Sequence, residues 1–307
     1  MAIARRTRPP DEGRLIQLVY YGYVAGSALA RAVPERAAYG FAKLIGSYAA
    51  RRSKKRPFVE RNLARITGLS PDTSEMDALV VEAYRSYASY WLETFRLVRE
   101  GPEFFLERFV CKHNDRIEEV RSRGRGAIVV VGHLGNWDAA GAWVGATGRK
   151  LVTVAEVLKP RRMFDFFADH RAKLGMTIFP AQAGAIGDLA RAVEEGAVVA
   201  ILGDRDLKGR GPKVDFFGEE TTFPAGPAVV ALKTGVPLLV AGVCGVDRPD
   251  GKKGWEAEIS LPIELPDDHG KEAIAELTQR VANVLEGFVA RHPEEWHVFN
   301  PFWLADR

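Results

Sequence analysis

Residues 127–131, AIVVV, are consecutive apolar positions, and four of the five are β-branched. Such a run makes a strand buried on both faces. Gly132 ends it, His133 stands at its tip, and Asp138 follows five positions later. Leu134, Gly135 and Asn136 supply a turn between them, because Gly tolerates positive φ and Asn caps helices. The small-residue stretch 139–143, AAGAW, then opens a helix. A strand buried on both faces needs cover on both sides, which points to a sheet layered between helices.

The rest of the chain repeats this texture. Strands are predicted at 151–155, 176–179, 197–202, 236–243 and 255–261, with helices at 138–146, 161–174, 185–194, 228–234 and 271–291. Before residue 126 the apolar spacing is helical, predicting helices at 14–33, 36–52, 57–66, 77–97 and 115–123. A short apolar stretch lies at 104–109, and a loop rich in Ser, Pro, Asp and Thr at 67–74. The expected fold class is α/β: a mostly parallel central sheet flanked by helices, with a helical N-terminal subregion. No flexible linker separates the two parts. The expectation is one domain over 1–307, helical to 125 and α/β from 126.

On one continuous helix, positions i and i+5 lie about 140° apart, so His133 and Asp138 meet only if the chain turns between them. A strand–loop–helix connection makes that turn, and an imidazole beside a carboxylate is a suitable general base. From spacing alone, the simpler reading has the larger claim: a loop histidine, then an Asp that complements the helix dipole. Sites in open parallel sheets form outside the carboxyl ends of strands. The residues following three predicted strands are His133, Glu156 and the run Asp204-Arg205-Asp206-Leu207. That convergence favours a site.

Composition narrows the classes. The net charge of +3 is too small to argue for nucleic acid. The charge is clustered, with Arg5, Arg6, Arg8 and Arg14 at the start and Arg51, Arg52, Lys54, Lys55 and Arg56 together; such clusters suit phosphate or anionic lipid. Residues 15–30 carry no charge, but fall short of the roughly 20 needed to span a bilayer. A basic start before an apolar run also fits a signal peptide. The helical pattern continues past it without a convincing cleavage site, favouring an amphipathic or partly buried helix resting on a membrane surface. Cys111 and Cys244 match no metal spacing and suggest a reducing compartment. The turn GRGPK at 209–213 leads into an aromatic strand, either to contact phosphates or as an ordinary hairpin. At 223–227, FPAGP introduces a helix whose N-terminus either binds an anion or is merely set by its prolines. There is no Walker A loop, GxGxxG, GxSxG or HExxH.

Five motifs in order carry a resemblance: GHLGNWD at 132–138, DRDL at 204–207, VDFFG at 214–218, TFPAGPA at 222–228 and HPEEWHVFNPFW at 292–303. The chain resembles the lysophospholipid-acyltransferase-like family that includes the bacterial lipid A biosynthesis acyltransferases. It looks most like the actinobacterial branch of phosphatidylinositol mannoside acyltransferases. The resemblance implies a glycerolipid-acyltransferase-like fold. It also implies transfer of a long acyl chain from acyl-CoA, as co-substrate, to a mannose hydroxyl, with no metal or other cofactor.

On this resemblance His133 matches the base and Asp138 the acid of the family's box. Asp204 and Asp206 are alternatives for the carboxylate that supports the histidine. Asn136, Glu156, Arg171 and Arg205 fall at substrate-binding positions. Oxyanion donors are expected from N–H groups around 135–138, and Lys159, Arg161 and Arg162 either meet phosphates of the substrates or serve surface solubility. The expected partners are acyl-CoA, a membrane glycolipid and an anionic membrane surface at the cytoplasmic face, peripheral or shallowly inserted. Two other readings stand beside this one. The first is an acyltransferase of the same family on a lipid A-like glycolipid with an acyl carrier protein donor; the second is a non-catalytic lipid-binding homologue.

Overall fold

The computed structural model describes residues 14–158 and 160–307. Arg5, Arg6, Arg8 and Lys159 lie outside the described residues, as does the side chain of Arg14.

Five helices form the N-terminal part: α1 (Arg14–Ala32), α2 (Glu35–Arg52), α3 (Arg56–Thr67), α4 (Ser74–Leu97) and α5 (Pro102–Arg108). The Thr73 side chain caps α4 by accepting the Met76 N–H at 3.2 Å. Met76, Val80, Ala83 and Tyr84 of α4 pack with Ala50 of α2 and with Val59 and Leu63 of α3. Gly46 makes the α2–α4 contact possible, since a Cβ there would fall 2.7 Å from the Arg85 Cα. Arg56 is drawn out of the basic cluster by an ion pair with Asp77 at 2.6 Å, leaving Arg51, Arg52, Lys54 and Lys55 exposed beside it.

After these come β1 (Phe109–Lys112), α6 (Asp115–Arg121), β2 (Ala127–Val131), α7 (Trp137–Ala146), β3 (Leu151–Ala155) and α8 (Arg161–Lys173). Next are β4 (Met176–Pro180), α9 (Ala185–Glu194), β5 (Val198–Leu202), β6 (Lys213–Phe216) and β7 (Glu219–Thr222). The chain continues through α10 (Gly226–Thr234), β8 (Leu238–Asp247), β9 (Lys253–Ile259) and α11 (Lys271–Arg291). Seven strands make one sheet in the order β1-β9-β8-β2-β5-β3-β4, parallel throughout except for the β8–β9 pair. This is the expected mostly parallel sheet flanked by helices. Every residue of β2 is buried, because it lies in the middle of the sheet with helices over both faces.

Two strands were not foreseen. β1 is a four-residue edge strand, too short for a periodicity to register. β7 closes an antiparallel hairpin with β6, where Lys213 pairs with Glu220 at 2.8 Å.

α1 is half-buried, as expected. Its Tyr23 ring sits edge-on to Trp91 and Phe95 of α4 and Phe167 of α8, while Leu18, Tyr21 and Leu29 are exposed. On α2, the exposed Phe41, Leu44, Ile45 and Tyr48 recur at helical spacing on one face. No helix among the described residues is long and apolar enough to cross a membrane.

Candidate active site

The register of the central strands assembles the site. In the parallel β2–β5 pair, Val131 lies opposite Leu202. Two residues beyond each partner stand His133 and Asp204. Adjacent strands run about 4.8 Å apart, so side chains leaving these two ends meet. The His133 Nδ1 is 2.6 Å from Asp204 Oδ1, and the His133 N–H donates to Asp204 Oδ2 at 2.8 Å. Burial alone would push the Asp204 carboxyl up. The His133 ring, its N–H and the Trp296 indole N–H outweigh that and hold it below the usual range. The ionised carboxylate therefore accepts from Nδ1–H and leaves Nε2 as the free acceptor of the ring.

Asp138 does not pair with His133, although the turn between them would allow it. It lies in the first turn of α7, which points its buried carboxylate toward α4 and α8. There it accepts from Arg171 Nε at 2.7 Å and from the Tyr90 hydroxyl at 3.3 Å. Burial opposes the Arg171 charge, but Asp138 and Tyr90 outweigh it and keep the guanidinium firmly protonated.

Asn136 is engaged within the protein. Its Oδ1 caps α7 by accepting the Ala139 N–H at 2.9 Å, and its Nδ2 donates to Glu93 at 2.7 Å. Each end of the amide makes one hydrogen bond within the protein, and the residue is not among those that line the cavity described below. Asp206 does not reach His133 either: its oxygens accept the N–H groups of Lys208 at 3.1 Å and Gly211 at 2.6 Å, shaping the loop after β5. The Gly135 N–H, expected among the oxyanion donors, is taken by the Glu295 carbonyl at 3.0 Å. Gly135 itself has φ +60°, and a Cβ there would lie 2.3 Å from the Val243 carbonyl oxygen; no other residue fits that turn.

His133 opens onto a cavity of about 360 Å³ between the sheet and α7. One face of the sheet lines it: Val129 and Val131, Leu151 and Thr153, Val198, Ala200 and Leu202, Ala241 and Val243, Ala257 and Ile259. The alternation is that of strands showing one face. Phe109 and Cys111 of β1 and Met176 of β4 extend the lining to all seven strands of the sheet, and Ala140, Gly141, Trp143 and Val144 of α7 roof it. Seven strand axes span about 29 Å. The polar groups in this wall are few and include His133, Asp138, Glu156, Arg171 and Arg205. Arg205 follows β5, which neighbours β2, and Glu156 follows β3, the strand beyond β5. Arg162 donates to Gln17 of α1 at 3.3 Å, and Arg161 lies 3.4 Å from Asp165.

Sequence reasoning missed the groups behind the turn. Glu93 is half-buried and accepts from Asn136, from Trp255 Nε1 at 2.9 Å and from Tyr39 at 2.9 Å. Burial pushes its carboxyl up, against the pull of those donors. Nothing in its helical surroundings marks it out. Trp296 lies within the last of the five motifs, and that was the one signal for it.

The sequence profile described as bacterial lipid A biosynthesis acyltransferase matches residues 12–305. The phosphatidylinositol mannoside acyltransferase of Mycolicibacterium smegmatis is 33% identical over 293 residues, covering 94% of this chain and 93% of that protein. The protein of the same name from Mycobacterium tuberculosis is 32% identical over 291 residues, covering 93% and 89%. Among solved structures, the 1-acyl-sn-glycerophosphate acyltransferase of Thermotoga maritima is similar at 15% identity, with a TM-score of 0.36, over 77% of this chain and 97% of that one. With the profile running over nearly its whole length, this chain belongs to the bacterial lipid A biosynthesis acyltransferase family.

Proposed function

We propose that this protein transfers a long acyl chain from acyl-CoA to a mannose hydroxyl of phosphatidylinositol mannoside, with His133 as general base. The carrying observation is the His133–Asp204 pair at the mouth of an apolar cavity roofed by α7. The acceptor is inferred from the names of the two relatives.

A sugar hydroxyl attacks a thioester only as its proton leaves. His133 Nε2 takes that proton while the oxygen bonds to the carbonyl carbon, and Asp204 stabilises the imidazolium. N–H groups at the start of α7, on the same turn, face the developing oxyanion with the positive end of the helix dipole. As the C–S bond breaks, the proton passes from His133 to the thiolate. The products are an ester and free CoA thiol.

The acyl chain lies in the cavity, where each methylene removed from water contributes about 0.8 kcal/mol. Arg205 and Glu156 border its mouth and contact the polar parts of the substrates. The exposed apolar residues of α1 and α2, with Arg51, Arg52, Lys54 and Lys55 beside them, rest on the anionic cytoplasmic face of the membrane.

The test incubates purified protein with palmitoyl-CoA and phosphatidylinositol mannosides, following thiol release and acylated product. Transfer abolished by His133→Ala is the expected result. Wild-type transfer in that variant, or thiol release with no acylated mannoside, would overturn the reading.

A further inference from the structure

The segment after α11 is built into the site. Residues 295–297 run antiparallel to residues 133–135: the His297 N–H donates to the His133 carbonyl at 2.7 Å and the Gly135 N–H to the Glu295 carbonyl at 3.0 Å. Between these bonds Leu134 and Trp296 are bridge partners. The pairing carries the Trp296 indole to the acid, where Nε1–H donates to Asp204 Oδ2 at 3.0 Å. Trp296 is buried, with its ring against Phe302 at 4.8 Å, Phe216 at 5.9 Å and Trp303 at 6.1 Å between centroids. An indole packed on three sides by aromatic rings cannot swing away from the carboxylate.

We propose that Trp296 is a positioning residue for the general base, fixing the plane of the Asp204 carboxylate and taking a share of its charge. The proposal rests on the general-base reading above. Each oxygen of a buried carboxylate needs donors; here Oδ1 has the imidazole and Oδ2 has the His133 N–H and the indole. Without the indole, Asp204 is more basic and less constrained. The imidazolium then forms at higher pH, in a looser geometry. The other titratable groups of the cavity wall are Glu156, Arg205, Asp138, Arg171 and Cys111, with His297 and Glu295 behind the turn. The indole N–H is hydrogen-bonded to Asp204 and to none of these.

Trp296→Phe removes the donor and keeps an aromatic ring. Trp303→Phe is its comparator: that indole belongs to the same cluster but donates to the Phe216 carbonyl at 2.8 Å. One readout needs no substrate. It is the NMR titration of the His133 ring, assigned among the six histidines by its loss in His133→Gln. The second readout is the pH profile of acyl transfer. In Trp296→Phe the titration midpoint and the acid limb both move to higher pH, and kcat falls roughly tenfold with KM little changed. Trp303→Phe lowers thermal stability and moves neither.

In the unaltered protein the Trp296 Nε1–H resonance shifts with the same midpoint as the His133 ring, a measurement that holds even if Trp296→Phe does not fold. An unmoved midpoint in Trp296→Phe, an equal shift in Trp303→Phe, or an indole resonance indifferent to the His133 titration would overturn the proposal. Wild-type transfer by His133→Gln would instead overturn the general-base reading; a raised midpoint in Trp296→Phe would still support the effect of the indole on the ring.

Discussion

His133 and Asp204 stand at matching places, each two residues beyond the paired strand positions Val131 and Leu202. Their 2.6 Å contact is therefore set by strand register and owes nothing to the turn that joins His133 to Asp138. The two acids divide the labour: Asp204 supports the imidazole, and Asp138 neutralises Arg171 in the cavity wall.

That division predicts different defects. Asp204→Asn lowers kcat by about 10²–10⁴-fold while the protein stays folded, since the ring loses its anionic partner. Asp138→Asn leaves Arg171 charged without its partner and costs stability, up to about 3–5 kcal/mol for a buried pair. Urea unfolding beside steady-state rates separates the two. Equal stability losses without a difference in rate would count against the assignment.

Ala200 of β5 lines the cavity. Ala200→Phe shortens the space open to an acyl chain. If it excludes four methylenes, long-chain transfer weakens by about 3 kcal/mol, on the order of 100-fold, at about 0.8 kcal/mol each. Short acyl thioesters keep their rates. A chain-length series measures this, and an equal loss at every length would place the acyl chain elsewhere.

Phe41, Leu44, Ile45 and Tyr48 form an exposed stripe on α2. Replacing Phe41 and Ile45 with Ser weakens sedimentation with anionic vesicles, and 1 M salt weakens that of the wild type by screening the neighbouring basic residues. The same variant retains hydrolysis or transfer of a detergent-dispersed thioester. Undiminished sedimentation of the variant would remove α2 from the membrane contact.

Burial, with a smaller contribution from the nearby His133 ring, holds the folded His297 imidazole down to about 3, against an ordinary value of 6.5. In acid the unfolded chain binds this proton first, so the stability it confers is complete above pH 6.5 and is lost as pH falls toward 3. The slope is about 1.4 kcal/mol per pH unit. His297→Asn flattens that part of the profile. Urea midpoints at pH 7.5, 6 and 5 test it, and parallel profiles for the two proteins would refute it.

Much of the architecture was legible along the chain. The runs at 127–131 and 151–155 and the helices at 185–194 and 271–291 match the observed elements at both ends, because doubly buried strands and amphipathic helices write their periods locally. Edge strand β1 was not legible, since four residues carry no period. The three strand ends carrying His133, Glu156 and Asp204 do lie side by side, on β2, β3 and β5. Sequence order alone could not choose between Asp204 and Asp206, or show that Asn136 caps α7 and holds Glu93.

By itself, then, the sequence determined the layered α/β class, the turn at Gly135 and the location of chemistry at strand ends, all consequences of burial and backbone freedom within a few residues. Only the tertiary structure decided which carboxylate meets the imidazole, because that depends on register between strands about 70 residues apart in sequence, repeating every other residue. It also brought Trp296 from the far end of the chain to the back of Asp204, a contact made by packing between distant segments that no local pattern encodes.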